Sequence, residues 1–309
     1  MKSQPSSTIA VIIANALLLA LATSSGAAEP PKQHWAFQPP VRPPLPAVKN
    51  TAWPRNAVDY FILARDEYPQ LDVDAYLSEL TGMAHEARDY LGQTLESQVA
   101  GLCRYLFHEM GFRGNQEHYY DPLNSYLNVV LDRRTGIPIT LSLVTMVIGE
   151  KLGVQIDGIG LPGHFVVMAR RGGQRILFDP YHGGRLLDPA DCEQLVQKSA
   201  GLDLAVDPNL LQAALPGQIV LRMITNLKGC YLRDADFQRA IRTICRLIQL
   251  VPRDWTQRRD LGSSYLQNGQ PGKAIDQLQA YLTNIPDAID REAVEKQVRQ
   301  ARAEVAKWN

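Results

Sequence analysis

From about residue 57 the chain places apolar residues every three or four positions. "AVDYFILARDEY" and "DVDAYLSELTGMAHEARDYL" both show this spacing, which lines one face of a helix. "LESQVAGLCRYLFHEMGF" continues the period and stops at "RGN". "DPLNSYLNVVLDRRTG" reads as a further short helix, with Gly136 as its C-terminal cap. Pro138 suits the first turn of the next helix, where a backbone N–H has no helical partner to lose. That helix is expected to run to about Leu152, with Gly153 closing it. The period then changes. "VQIDGIG", "HFVVMAR" and "RILFDP" are short runs of branched and aromatic residues, divided by "LPG" and "RGGQ", and they predict strands. Asp188 followed by Pro189 then marks a new helix start.

The strand runs carry a geometric consequence. Gly172–Gly173 predicts a tight hairpin. A turn near 171–173 puts Asp179 directly opposite His164 or one diagonal step away, and on the same sheet face in either case.

The C-terminal part repeats itself. Leu227, Tyr231, Ala240, Ile241 and Pro252 recur 34 residues later as Leu261, Tyr265, Ala274, Ile275 and Pro286. Thirty-four is the tetratricopeptide period, and the residue types suit it: a small alanine at a close helix crossing, a proline ending the second helix. Gly262 fits the pattern, whereas Lys228 holds the equivalent place in the first repeat. "DREAVEKQVRQARAEVAKW" has the polar face of a capping helix. Two repeats bury little by themselves and need a neighbour to lean on.

At the N-terminus, Lys2, the apolar stretch Ile9 to Ala22 and the small residues before Ala28 have the layout of a secretory signal peptide. Its 14 residues are fewer than the roughly 20 that span a bilayer. Residues 29–56 hold eight prolines and read as an extended linker. Hydrophobic residues at 45% and charged residues at 21% suit a globular protein. The formal net charge is zero, and it becomes −1 once residues 1–28, which carry only Lys2, are removed. Nothing in this balance resembles the basic footprint of a nucleic-acid binder. The four cysteines, Cys103, Cys192, Cys230 and Cys245, are spaced by 89, 38 and 15, which matches neither a disulfide framework nor a zinc pattern. Buried free thiols are the expectation, with a Cys230–Cys245 bridge as the alternative.

A helix start, then a histidine, then an aspartate is the order in which papain-like and transglutaminase-like enzymes lay out a Cys-His-Asp triad. In such a site the helix dipole and an imidazolium favour the thiolate, and the carboxylate sets the ring's tautomer. Here the helix start reads "GIPIT": Pro138 stands where a cysteine would, and the nearest hydroxyls are Thr140 and Ser142. A hydroxyl is a poorer nucleophile and needs a well-placed base.

The strings "GFRGN", "NSYLN", "GIPI", "LPGHF" and "DPYHGG" together resemble the SirB-type family of bacterial transglutaminase-like proteins, over about residues 70–300. That family typically carries C-terminal tetratricopeptide repeats and usually lacks the catalytic cysteine. The resemblance puts His164 on the triad histidine and Asp179 on the triad aspartate. It also puts Asn115, Tyr120, Asn124, Ser125 and His182 on other recurrent motifs, which makes them candidate binding residues. The N-terminal "HWAFQPPVRPPLP…TAWPRNAVDYFILAR" resembles a domain of unknown function in secreted planctomycete proteins.

Blander uses of these residues stay open. His164 with Asp179 serves equally as a buried pair fastening two strands. Asn115 and Asn124, beside glycine and proline, suit turns and caps. Tyr119 and Tyr120 suit a core edge or cleft wall, and His85, His108 and His118 read as surface or packing residues. A metal on His164, Asp179 and His182 is the less favoured use, so no metal and no cofactor is expected.

The expected fold class is α+β. A papain/transglutaminase-like domain of helices plus a small antiparallel sheet covers 57–215, and a tetratricopeptide helical array of two repeats and a capping helix covers 216–309. The favoured function is an exported, secreted or periplasmic module that binds a protein or peptide through its cleft and repeat face. It would bind no nucleic acid and have no stable membrane insertion after signal cleavage. The alternative is a hydrolase or acyl transferase with Thr140 or Ser142 as nucleophile, His164 as base and Asp179 as orienter. A third reading is a structural domain in an envelope assembly, tethered by 29–56.

Overall fold

The computed structural model describes residues 61, 63–203, 205 and 210–307. The segments expected to be a signal peptide and a proline-rich linker lie outside the described residues. Among those described, no helix is long and apolar enough to cross a membrane.

The first helix, α1 (Val73–Ala87), is capped by Asp72, whose carboxylate accepts the Ala75 N–H. Helix α2 (Leu95–Cys103) starts with Thr94 and Ser97, each side chain accepting the other's backbone N–H. It runs into a π-helical turn, Arg104–Glu109, where one regular helix was expected. Next come a short strand β1 (Arg113–Gly114), a 3-10 turn (Pro122–Ser125) and helix α3 (Leu127–Arg133). Strand β2 (Thr135–Gly136) follows and pairs with β1 in parallel.

The expected cap of α3 at Gly136 is corrected here. Arg134 takes the left-handed turn with φ +53°. Its guanidinium bonds Glu79 at 2.9 Å and lies 4.9 Å from the Phe112 ring centroid, contacts that offset the cost of that backbone conformation. Gly136 is needed for space instead, because a Cβ there would meet the Thr140 hydroxyl at 2.7 Å.

Helix α4 (Pro138–Leu152) is buried on nearly every side, as an almost wholly apolar helix must be. Gly153 closes it with φ +76°, as the sequence predicts. The sheet follows as a meander of four antiparallel strands: β3 (Gln155–Leu161), β4 (His164–Arg171), β5 (Gln174–Asp179) and β6 (Arg185–Leu187). Gly172 and Gly173 turn the β4–β5 hairpin with φ +54° and +87°, the two positive values that a two-residue turn of this twist requires. Val167 pairs with Phe178 and Arg171 with Gln174. In that register Asp179 is the diagonal neighbour of His164 on the same face.

Alternation sorts the rest of β4. Phe165, Val167 and Ala169 join the main core, while Val166 and Met168 meet Cys192 and Val196 on the far side of the sheet. Those two residues belong to helix α5 (Pro189–Ala200), capped by Asp188 as expected.

Five further helices follow: α6 (Pro216–Arg233), α7 (Phe237–Leu250), α8 (Thr256–Gln267), α9 (Pro271–Asn284) and α10 (Arg291–Ala306). Leu227, Tyr231, Ala240, Leu261 and Ala274 are buried, which gives the 34-residue period its physical meaning. Gly262 permits a close helix crossing, since a Cβ would sit 2.6 Å from Leu278 Cγ. Helix α10 buries only Val294, Val298 and Ala301, one stripe of an end helix.

The array does lean on the first domain. The Tyr126 and Tyr231 hydroxyls bond each other, and Arg239 and Arg242 reach Glu67 at 2.9 and 2.7 Å. Within the first domain, just before α6, the Ala214 N–H donates to Gly158 O at 2.8 Å on the edge of β3. All four cysteines are free, so the Cys230–Cys245 bridge does not form.

Candidate functional site

The hairpin and the turn after it assemble three side chains. Strand β5 ends at Asp179, and the 3-10 turn Pro180–His182 begins there because the Asp179 Oδ1 accepts the Tyr181 N–H at 2.9 Å. That turn swings His182 back over the strand end. His164 Nε2 lies 2.8 Å and His182 Nδ1 lies 2.6 Å from the same oxygen, Asp179 Oδ2. The two imidazoles stack with centroids 5.7 Å apart and planes 29° apart. Tyr181 stands edge-on to both, and its hydroxyl donates to Asn115 O at 3.0 Å. Asp179 is fully buried, His164 nearly so, and the His182 side chain is 41% exposed.

Electrostatics follow from this packing. Burial alone would raise the Asp179 pKa, but hydrogen bonds from His164 and His182, together with their charge, hold it well below the usual carboxylate range. A carboxylate that accepts from both rings fixes hydrogen on His164 Nε2 and His182 Nδ1. The lone pairs of the neutral rings then sit on His164 Nδ1 and His182 Nε2. Burial raises the Tyr181 phenol, with a further push from Asp179. One ligand atom from each of His164, Asp179 and His182 lies within 4.8 Å of the other two, so this is where a metal could be held.

The hydroxyls of the enzyme alternative are committed elsewhere. Thr140 Oγ1 accepts the Ile137 N–H at 3.1 Å and lies 3.0 Å from Asn124 O, to which it donates. It thereby caps α4 from inside and is fully buried. Ser142, also buried, donates to Phe165 O at 3.4 Å. Neither is hydrogen-bonded to His164, so the expectation of Thr140 or Ser142 as nucleophile is not met by this geometry. A thiol that does approach the turn is Cys103, with Sγ 3.9 Å from Gly184 O. Burial pushes its pKa up to about 12, which leaves a thiol rather than a thiolate. Gly184 has φ +80°, and a Cβ on it would overlap Cys103 Sγ.

Replacing Thr140 by valine should therefore cost about 1–2 kcal/mol through the lost cap. Urea unfolding would measure this, and ligand capture by the folded variant should be unchanged.

The remaining candidates divide into inner and outer sets. Asn115 and Asn124 are loop fasteners. Asn115 Nδ2 donates to Asn124 Oδ1 at 3.0 Å, and Asn124 Nδ2 donates to His118 O at 2.7 Å. Ser125 is buried and its hydroxyl has no hydrogen-bond partner. Tyr120 is 37% exposed, with the Arg233 guanidinium 4.0 Å from its ring centroid.

Two residues of α6 belong to this neighbourhood and escaped the sequence reading. Arg222 Nη2 donates to Leu161 O at 2.9 Å and to His164 O at 2.6 Å. Burial lowers its pKa to about 10, and Tyr119 partly offsets that. Arg233 lies eleven residues on, three helical turns, and so shares its face. The available signal was an arginine between the apolar Ile219 and Met223 of an amphipathic helix.

The fold and this cluster define the class: a transglutaminase-like domain joined to a tetratricopeptide array. Residues 74–225 match the transglutaminase-like superfamily, and residues 227–299 match a tetratricopeptide repeat family. A UPF0162 protein of Xylella fastidiosa (strain Temecula1) is 35% identical over 234 residues, covering 73% of this chain and 82% of that protein. One from Vibrio cholerae is 28% identical over 203 residues, covering 66% and 75%. The chain belongs to the UPF0162 family. It is also similar to the F-box only protein 21 of Homo sapiens, 36% identical over 111 residues, which is 33% of this chain and 18% of that protein. No solved structure matches the chain. The paired units point to a protein-interaction module.

Proposed function

We propose that this chain is an exported, SirB-type transglutaminase-like protein that binds a protein or peptide and performs no acyl transfer. The observation that carries this reading is the α4 start. Pro138 is buried in the first turn, and the Thr140 hydroxyl is saturated by backbone groups where a nucleophile would have to be free. The surface chemistry supports a recognition role: an exposed Tyr120 stacked by Arg233 is linked to the half-exposed His182 through the rings of Tyr119 and Tyr181, and aromatic and arginine side chains of this kind suit a peptide. The repeats add a helical face of the kind that receives peptides. The signal-like segment supports export, and the proline-rich 29–56 would then hold the folded part away from its point of attachment or release.

The test is capture. The chain without its first 28 residues, immobilised and exposed to the envelope fraction of its own cells, should retain a partner. A variant with Tyr120→Ala and Arg233→Ala should lose that partner, while His164→Ala should keep it. Hydrolysis or transamidation of peptide, ester or amide substrates that disappears in His164→Ala would overturn the reading in favour of the hydrolase or acyl transferase.

A further inference from the structure

The meeting of two imidazole nitrogens on one buried carboxylate oxygen is more than a strand fastener requires. A single bond from His164 would tie β4 to β5, yet His182 brings a second ring to the same Oδ2 from a separate turn. Two nitrogens and one oxygen form a donor set that divalent first-row transition ions accept. Metal–nitrogen bonds of about 2.0–2.1 Å and metal–oxygen bonds of about 2.0–2.2 Å put neighbouring ligand atoms roughly 3 Å apart. The observed 2.8 and 2.6 Å fall a few tenths short of that.

The required opening has an obvious place. His182 is half-exposed, on a three-residue turn followed by Gly183 and Gly184, both at positive φ. The proton balance is simple. Moving the ring hydrogens to His164 Nδ1 and His182 Nε2 turns two nitrogen lone pairs toward Asp179, and a cation then replaces the two N–H donors. Neither neutral ring loses its proton overall.

The surroundings hold the donors as the outer partners of a metal site do. The Tyr181 N–H occupies Asp179 Oδ1, the Tyr181 hydroxyl is anchored on Asn115 O, and Arg222 grips the His164 carbonyl. Among the described residues no fourth histidine, cysteine or carboxylate joins the three. A further coordination position is thereby left to water or a ligand, which is the open type of site.

We propose that His164, Asp179 and His182 bind one divalent first-row transition-metal ion, with Zn2+ as the reference probe. This goes beyond the peptide-binding reading and does not depend on it.

The test uses the untagged chain without its signal segment, stripped by chelator and dialysed. Zn2+ titrated by calorimetry should bind at one ion per chain, and Co2+ should produce a visible d–d spectrum. Zn2+ should also raise the melting temperature. His182→Ala removes a half-exposed side chain and should fold. Because it removes a direct ligand, it should weaken binding by more than the roughly 10–100-fold typical of outer partners and lose both the spectrum and the thermal shift. Its own melting curve checks that it is folded, and His118→Ala, from a neighbouring loop, should bind as the wild type does. Absence of saturable binding in the wild type, or equal binding and an equal thermal shift in His182→Ala, overturns the proposal. Either result leaves the capture experiment unaffected.

Discussion

Replacing Asp179 by asparagine should destabilise the metal-free protein by about 3 kcal/mol near neutral pH. The carboxylate accepts three hydrogen bonds, two from imidazoles and one from the Tyr181 N–H. An amide of the same shape must turn its NH2 toward one of these donors. The backbone N–H of Tyr181 cannot adapt, so the NH2 would face the histidines. One ring could then change tautomer to accept, and the other would lose its partner. The cost must also depend on pH. The folded-state pKa of Asp179 is depressed, so its contribution is complete above the unfolded carboxyl value of about 3.9 and is lost as pH falls through the folded value. Urea unfolding of both proteins should show the gap widest near pH 7 and narrowing steadily in acid below about pH 4. A gap that stays constant into strong acid would mean that the charge of Asp179 contributes nothing to the fold.

A comparable loss, about 3–4 kcal/mol, is expected for Lys228→Ala in the repeat array. Lys228 occupies the position at which the second repeat has Gly262, and it is buried. Its ammonium donates to Gln257 Oε1 at 2.9 Å and to Asp260 Oδ2 at 2.8 Å, both on α8. Burial would raise the Asp260 pKa, but Lys228 and Arg259 together lower it. Truncation would leave that carboxylate with Arg259 alone, bonded at 2.8 Å to the other oxygen. Tyr126–Tyr231 and the Glu67 pairs tie the repeats to the first domain, so the loss is expected to register in global unfolding. Lys228→Ala combined with Asp260→Ala should recover part of it, because no buried charge is then left unpaired. A double variant less stable than Lys228→Ala would show that packing of the lysine stem, rather than its charge, holds the position.

Much of this architecture is legible from local periodicities. The hairpin glycines, the parity that sets His164 and Asp179 on one face, the Asp188 cap and the 34-residue repeat all depend on neighbours a few residues apart or on a regular spacing. Local conformation misled the reading where space, not backbone freedom, selects the residue. Gly136 looks like a cap but serves a close approach to Thr140, and the left-handed cap falls to Arg134, whose side-chain contacts lie on distant elements. The π-helical turn at 104–109 likewise carries no periodic signature.

The sequence by itself determined the kinds of element, their order, the repeat, and the absence of a cysteine at the start of α4, because these follow from side-chain type and from periods of two and 3.6 residues. Only the tertiary structure decided which groups meet. It joined His182 to the oxygen that His164 already uses, closed the Thr140 hydroxyl into the α4 cap, brought Arg222 of α6 onto the His164 carbonyl, and gave a buried lysine its carboxylate. Each of these contacts joins residues on separate turns or helices. Their meeting is set by how the elements pack, and no spacing along the chain encodes it.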